Sequence, residues 1–186
     1  MDIANASLLV EATAAAEAMV MAYAHAQHKK KAFVVDHGVA PQTISVLRTR
    51  AKGFGLDLVI TDVFSHPLYS DVSGVLVQYP TVNGDIRDYS ELASKVHKTG
   101  GLVTVASDLL ALVMLKPPGE WGADVVFGNS ARFGVPAGYG GPHAAFFACS
   151  DRLKRKMPGR IVGRSKDAMG RPAYRLALQS VYHKGD

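Results

Sequence analysis

The sequence has 186 residues and a mass of 19.8 kDa, the size of one globular domain with a sizeable core. Hydrophobic residues make up 48% and charged residues 20%, which excludes a disordered, collagen-like or coiled-coil chain. The single cysteine, Cys149, excludes an internal disulfide and a cysteine-based zinc site, and it favours a reducing compartment. The longest apolar run, residues 102–115, is interrupted by Asp108 and is shorter than the roughly 18 residues of a membrane helix, so we expect no membrane span.

The two ends of the chain differ in charge. The N-terminus has no basic residue ahead of its apolar ones, so it matches neither a secretory signal nor an arginine-rich transit peptide, and we expect no targeting segment. The formal net charge is +5, and residues 151–186 carry ten basic against three acidic residues. Such a block attracts phosphate or nucleic acid, and a basic-tailed interaction protein is one hypothesis. No base-reading motif accompanies the block in the sequence, which disfavours nucleic-acid binding.

Residues 7–28 show the spacing of an amphipathic helix. Their apolar residues recur at steps of three and four, which places them on one face. Ser7 is positioned to cap the helix N-terminus, although Val10 stands where a capping box needs an acid. The lysines at 29–31 complement the negative end of the helix dipole, so we expect the helix to end near them. The apolar face consists of Leu8, Ala12, Ala15, Met19, Tyr23 and Ala26.

Downstream, short apolar runs alternate with helical segments. The predicted strands are 32–35, 58–60, 74–78, 102–106, 123–127 and 144–148, and the predicted helices are 41–53, 89–97 and a basic one that starts at Asp151. Runs of four to six apolar residues separated by helices are typical of strands that are covered on both faces. The sequence therefore predicts an α/β fold with a largely parallel sheet and crossover helices.

Polar residues follow several predicted strands, where ligands bind in an open parallel sheet. Asp108 is the sharpest candidate, because an acid flanked by apolar residues must be paired or bound to a cation if it is buried; otherwise it caps the helix that follows. Residues 138–141 read Gly-Tyr-Gly-Gly, which matches neither nucleotide-binding fingerprint. His143 is more typical of a turn residue than of a base or metal ligand, since no second ligand lies at metal-binding spacing. Cys149 is predicted to be a small core residue.

Several motifs resemble those of one known family. They are Asn5-Ala-Ser-Leu-Leu, Glu11-Ala-Thr-Ala-Ala-Ala-Glu-Ala-Met19, Ser107-Asp-Leu-Leu-Ala-Leu112, Leu115-Lys-Pro-Pro-Gly-Glu120, Arg132-Phe-Gly-Val-Pro-Ala-Gly-Tyr-Gly-Gly-Pro-His-Ala-Ala-Phe-Phe147 and Met157-Pro-Gly-Arg160. These segments are similar to the P-protein of the glycine cleavage system, the pyridoxal-phosphate-dependent glycine decarboxylase. The resemblance covers residues 3–179, whereas 180–186 differ from the family and form a divergent tail.

The resemblance implies one half of a larger enzyme. Family members consist of two halves, each similar to a fold-type-I pyridoxal phosphate enzyme, with the cofactor lysine in the second half. This chain resembles a partial large domain of the first half, over residues 1–179. Asp108 falls where the active half has the carboxylate that pairs with the pyridinium nitrogen, Asn83 where it has the ring-stacking histidine, and Ala131 where it has the Schiff-base lysine. Because alanine has no amine, we expect this chain alone not to decarboxylate glycine.

The resemblance also implies a supporting role at an interface. In the family the two halves pack as a pseudo-dimer, so we expect the loop residues Tyr139, Gly140, Gly141 and His143 to border the pyridoxal phosphate of the complementary half. Asn5 and Ser7 are further candidates for the same border.

Partners and location follow from the same resemblance. The expected partners are the C-terminal half of a P-protein or a second copy of this chain, and the lipoyl carrier H-protein for the full enzyme. The expected location is the mitochondrial matrix in a eukaryote or the cytoplasm in a bacterium. A domain cut from a larger protein also exposes apolar surface, which predicts dimerisation or poor solubility. The alternative hypothesis is a stand-alone α/β module that binds a phosphate-bearing ligand.

Overall fold

The computed structural model describes residues 1–5, 8–65, 71–159 and 161–177. These residues form a seven-stranded sheet with three α-helices, followed by a two-stranded hairpin. The strands are β1 (Ile3–Ala4), β2 (Ala32–Asp36), β3 (Asp57–Thr61), β4 (Val72–Tyr79), β5 (Leu102–Ser107), β6 (Val125–Asn129), β7 (Ala145–Cys149), β8 (Ile161–Lys166) and β9 (Pro172–Ala177). The helices are α1 (Glu11–His25), α2 (Pro41–Phe54) and α3 (Ser90–Lys98).

The main sheet has the strand order β1-β7-β6-β5-β4-β2-β3. The five strands from β3 to β6 in this order are parallel, whereas β7 is antiparallel to β6 and β1 is antiparallel to β7. The predicted α/β class with a largely parallel sheet is therefore confirmed. The antiparallel edge arises because β7 returns beside β6 after a loop of irregular backbone, without a crossover helix.

Alternate residues of the central strands enter two different cores. Phe33 and Leu76 pack with α1 and α2 on one face, and their chain neighbours Val34 and Val75 pack with α3 and Trp121 on the other. Both faces of the sheet are thus covered, which explains the uninterrupted apolar runs of the strands. Cys149 is fully buried in the first core, as expected.

Helix α1 is shorter than predicted. It begins at Glu11 rather than at residue 7, because Leu8 forms an antiparallel bridge with Ala145 of β7 and so belongs to the sheet edge. Ser7 lies outside the described residues. Val10 occupies the N-cap, and its peptide N–H donates to the hydroxyl of Thr13. The helix ends at His25, before the lysines, because the next turn places residues 27 and 28 at positive φ.

The alanine-rich face of α1 lets the helix lie close to the sheet. Its buried alanines include Ala14, Ala18 and Ala22, all without solvent exposure. A Cβ atom added to Gly74 in β4 would lie 2.9 Å from the Cβ of Ala22 and 2.9 Å from the carbonyl oxygen of Leu102. Small side chains on both surfaces therefore set the distance between helix and sheet.

The remaining elements match the prediction in part. Helix α2 starts at Pro41, as predicted, and ends at Phe54. Gly55 follows as its C-cap, with a φ of +64° that suits this position. The basic helix predicted to start at Asp151 is a 3₁₀ helix, Asp151–Lys156. The hairpin β8–β9 was not predicted at all. No helix among the described residues has the length and apolarity of a membrane span.

The amino-terminal edge of the sheet carries a buried ionic cluster around Asp124. The Asp124 side chain is 5% exposed. Its carboxylate accepts from the peptide N–H of Val103 at 2.8 Å, lies 2.8 Å from Nε2 of His97, and pairs with Arg152. The cluster connects the end of α3, the strands β5 and β6, and the basic 3₁₀ helix. Each carboxylate oxygen is satisfied by this chain's own groups.

Candidate functional site

The opposite, carboxyl-terminal edge of the sheet holds a cleft of about 550 Å³. It lies where β4, β5 and β6 end and where α1 begins, which is the position that an open parallel sheet offers to ligands. The cleft is lined by Glu11, Gln78, Pro80, Thr81, Val82, Ala106, Ser107, Asp108, Asn129, Ala131, Arg132, Val135 and His143. Strand ends that are far apart in the sequence therefore supply one site.

Asp108 forms an ion pair across the cleft with Arg132. The guanidinium Nη2 lies 2.8 Å from Oδ2, and Nε lies 3.0 and 3.2 Å from the two carboxylate oxygens. Asp108 also accepts from the peptide N–H of Leu110 at 2.9 Å, whereas the 3₁₀ turn Ala111–Val113 has Leu110 at its N-cap and no side-chain capping hydrogen bond. Asp108 is therefore a paired acid, and the alternative interpretation, that its side chain caps a helix, is wrong.

The charge of Asp108 is stabilised by these contacts. Partial burial works to raise the pKa of Asp108, but the hydrogen bonds from Arg132 and from the Leu110 N–H outweigh it and hold the pKa below the usual range. Asp108 is therefore an anion at neutral pH, and its charge is matched by the guanidinium of Arg132.

Asn129 organises the β6 side of the cleft. Its Oδ1 accepts from the peptide N–H of Ala131 at 2.7 Å and caps the 3₁₀ helix Ser130–Phe133. Its Nδ2 lies 3.2 Å from Nδ1 of His143. Because Oδ1 is held by the backbone, Nδ2 faces the imidazole and donates to Nδ1, which leaves the proton of a neutral His143 on Nε2.

Glu11 stands at the first turn of α1, where the helix dipole favours a negative charge. Burial raises the pKa of Glu11, and the nearby negative charge of Asp108 raises it further. Sequence reasoning missed Glu11 as a cleft residue, since a helix that begins at residue 7 puts it in the helix interior. A helix start at residue 11 would have placed this acid at the carboxyl edge.

The structure brings Asp108, Ala131 and His143 together in the cleft, and it places the other site candidates elsewhere. Asn83 is exposed in the turn after β4 and does not line the cleft. Tyr139, Gly140 and Gly141 are exposed or partly exposed in the loop before β7. Asn5 follows β1, where its N–H donates to the Phe147 carbonyl and its buried amide atoms have no partner. Ser7 lies outside the described residues.

Large apolar side chains are exposed in the segments that follow β5 and β6. Met114 is 87% exposed, Phe133 79%, and Tyr139 completely. Further exposed side chains come from segments that follow strand ends or precede α1 at this edge: Leu9, Val82, Leu110 and Val113. This set is called the rim. Clusters of exposed apolar side chains mark interaction surfaces in soluble proteins.

Comparisons with known proteins agree on one family. A family model described as glycine cleavage system P-protein matches residues 1–183. Glycine dehydrogenase (decarboxylating) of Stenotrophomonas maltophilia (strain R551-3) is 57% identical over 180 residues, which are 97% of this chain and 19% of that protein. Putative glycine dehydrogenase (decarboxylating), mitochondrial, of Schizosaccharomyces pombe is 53% identical over 97% of this chain and 18% of that protein.

Solved structures show the same relationship. The inhibitor-bound crystal structure of glycine decarboxylase (P-protein) of the glycine cleavage system has a TM-score of 0.87 and 35% identity over 97% of this chain and 42% of that chain. A second match is cystathionine gamma-lyase CalE6 of Micromonospora echinospora, with a TM-score of 0.62 and 19% identity. The match covers 81% of this chain and 39% of the lyase chain, and at this identity it shows the fold alone. The expected fold-type-I likeness is confirmed.

The match extends over almost all of this chain but over only a small part of each relative. The chain spans 19% of the length of the Stenotrophomonas protein and 18% of the Schizosaccharomyces protein. The resemblance seen in the sequence motifs is confirmed, and this chain belongs to the glycine cleavage system P-protein family.

Proposed function

We propose that this chain is a non-catalytic part of a pyridoxal-phosphate-dependent glycine decarboxylase and that it supports the active site of a lysine-bearing half. Its relatives are named glycine dehydrogenase (decarboxylating). One observation carries the proposal. Among the described residues that line the cleft there is no lysine, and the methyl group of Ala131 stands where the resemblance gives the Schiff-base lysine. The same proposal assigns residues 1–179 to a partial large domain of the first half of that enzyme. The tail 180–186 lies outside the described residues.

The cleft does not fit pyridoxal phosphate as a resident cofactor. It offers no amine to the aldehyde, and the carboxylate of Asp108 is already held by Arg132. Glu11 brings a carboxylate to the helix N-terminus, where a phosphate would otherwise be stabilised. The exposed 138–141 loop does not line the cleft either, which disfavours the alternative of a stand-alone phosphate-binding module. The cofactor therefore belongs to the complementary half.

The rim is the surface that this proposal assigns to the complementary half. Its side chains come from segments that follow strand ends or precede α1 at the edge that holds the cleft, and they are exposed in this chain. Exposed apolar clusters mark interaction surfaces. The loop from Tyr139 to His143 belongs to the same edge and remains our candidate for the border of the partner's cofactor. A second copy of this chain is the other occupant that the rim would accept.

The carrier and the location are proposed from the family. The full enzyme acts with the lipoyl carrier H-protein, and we place it in the mitochondrial matrix of a eukaryote or in the cytoplasm of a bacterium. The relatives include a bacterial protein and one named as mitochondrial, which supports both locations.

The test combines this chain with the lysine-bearing half of a relative. The chain alone, incubated with pyridoxal phosphate and reduced with borohydride, should show no pyridoxyl-lysine by mass spectrometry. Mixing this chain with the lysine-bearing half should restore the exchange of labelled carbon dioxide with the carboxyl group of glycine. Met114→Asp on the rim should weaken that restoration about tenfold or more, because a charge would be buried at the interface.

The matched control is Met169→Asp, which alters a methionine of similar exposure, 79%, in the turn between β8 and β9. It should leave the restored exchange unchanged. Glycine-dependent release of carbon dioxide by the chain alone would overturn the proposal. Equal effects of the two substitutions would show that the rim is not the surface that binds the complementary half.

A further inference from the structure

The cleft contains an acidic group that this chain does not satisfy. Glu11 is partly buried in the cleft wall, and no described residue donates a hydrogen bond or an ion pair to its carboxylate. The neighbouring carboxylate of Asp108 differs, because Arg132 neutralises it. Burial and the nearby charge of Asp108 outweigh the favourable helix dipole, so the pKa of Glu11 is raised and its charged form carries a cost. A cationic group that entered the cleft would remove this cost.

Two hydrogen-bond donors in the same cleft are also unused. Arg132 binds Asp108 through Nε and Nη2, so its Nη1 group keeps two N–H donors for another acceptor. His143 accepts from Asn129 at Nδ1, which directs the proton of the neutral ring to Nε2. Within the described part of the chain, neither Nη1 nor Nε2 has a hydrogen-bond partner. These donors suit a carboxylate.

The rest of the cleft wall is largely aliphatic. Pro80, Val82, Ala106 and Val135 line it together with the charged groups. The volume of about 550 Å³ lies within the range of small-molecule sites. The space therefore admits a short apolar group beside an ammonium and a carboxylate.

We propose that this cleft binds a free α-amino acid with an aliphatic side chain. The ammonium group pairs with Glu11, and the carboxylate accepts from Arg132 and His143. This assignment gives a ligand function to a cleft that does not fit the cofactor of the family. It depends on the cleft alone and not on docking of a complementary half, so the two proposals succeed or fail in separate experiments.

The test titrates the 186-residue chain by calorimetry with three matched ligands. L-leucine carries both charges, 3-methylbutylamine lacks the carboxylate, and 4-methylpentanoate lacks the ammonium group. Leucine should bind about tenfold more tightly than 3-methylbutylamine or 4-methylpentanoate. Each of these two ligands lacks one charged hydrogen-bonding contact, and such a contact changes the affinity by about tenfold. No saturable binding of leucine at millimolar concentration, or equal binding of all three ligands, would overturn the proposal.

Glu11→Gln identifies the ammonium site. It should weaken leucine binding about tenfold and should not weaken the binding of 4-methylpentanoate, since that anion loses a like charge nearby. Glu91→Gln is the matched control, since Glu91 is also an acid in the first turn of a helix, but it is exposed on α3 and pairs with Lys95. Glu91→Gln should not change leucine binding. Equal leucine affinity in the Glu11→Gln variant and the unaltered chain would contradict the assignment.

A second measurement needs no variant and covers the case in which Glu11→Gln does not fold. Leucine binding to the unaltered chain should weaken as the pH falls, because Glu11 takes up a proton and loses its charge. Since the pKa of Glu11 is raised, this loss should begin at a higher pH than for an ordinary glutamate. Leucine should also shift the amide resonances of Asn129 and Ala131 in a ¹H–¹⁵N spectrum. Shifts confined to residues outside the cleft would overturn the proposal.

Discussion

The two edges of the main sheet differ in whether an acidic side chain there has partners within this chain. At the amino edge, Asp124 is almost fully buried, and both of its oxygens are satisfied by His97, Val103 and Arg152. At the carboxyl edge, Glu11 has no partner among the residues that the structure describes, and apolar side chains are exposed to solvent.

The difference separates structural from functional polar groups. At the amino edge, both carboxylate oxygens of Asp124 have partners within this chain. The carboxyl edge leaves donors, an acceptor and apolar surface that only another molecule can satisfy. The comparison implies that changes at the amino edge affect folding, whereas changes at the carboxyl edge affect binding.

The largest effect is expected at the amino edge. Asp124→Ala should lower the free energy of unfolding by about 3–5 kcal/mol, because it leaves Arg152, His97 and the Val103 N–H without their acceptor. Urea unfolding followed by circular dichroism measures this. Asp124→Asn is the control and should cost less, since its amide oxygen still accepts from the Val103 N–H. A loss under about 1 kcal/mol for Asp124→Ala would show that solvent replaces these contacts.

An intermediate effect is expected where β5 and β6 meet at the cleft. A Cβ atom on Gly128 would lie 2.1 Å from the carbonyl oxygen of Ser107, so Gly128→Ala must push the two strands apart. We expect a loss of about 1–3 kcal/mol in the same urea experiment. Gly138→Ala is the control, because a Cβ there meets no atom within 4 Å. Similar stabilities of the two variants would contradict the close approach of the strands.

The smallest effect is expected at the ion pair of the cleft. The folded-state pKa of Asp108 is lowered, so its contribution to stability is present above the ordinary aspartate pKa and is lost as the pH falls through the lowered value. Asp108→Asn should therefore cost most at neutral pH and nothing at strongly acidic pH. The neutral-pH cost should stay under about 1 kcal/mol, because the Arg132 side chain is 57% exposed. A cost that does not change with pH would exclude the ion pair as its source.

Much of the fold was predictable because local signals and tertiary packing agree in the central strands. Continuous apolar runs predicted the parallel strands, and Pro41 marked the start of α2. The start of α1 was wrong because the 3.6-residue period continues through Leu8, while the actual conformation of Leu8 is decided by a bridge to the distant Ala145. The hairpin β8–β9 was missed because its segments, Ile161–Lys166 and Pro172–Ala177, contain neither a continuous apolar run nor a regular alternation of apolar and polar residues.

The site was predictable in place but not in detail. The rule for open parallel sheets located the cleft at the strand ends, and Asp108 and His143 lie in it. The pairing of Asp108 with Arg132 and of Asn129 with His143 joins residues 24 and 14 positions apart, and these contacts depend on strand order and on side-chain rotamers. Spacing in the sequence carries no signal for such pairs.

The buried position of Cys149 has a practical consequence for experiments on the cleft. Burial raises the pKa of its thiol to about 11, so at neutral pH the only cysteine of the chain does not react with maleimides. Replacing Met114 by cysteine would create a single labelling position without removing any native residue beforehand. A fluorophore attached there would report the binding of a partner at this edge of the sheet, with no contribution from a label on Cys149.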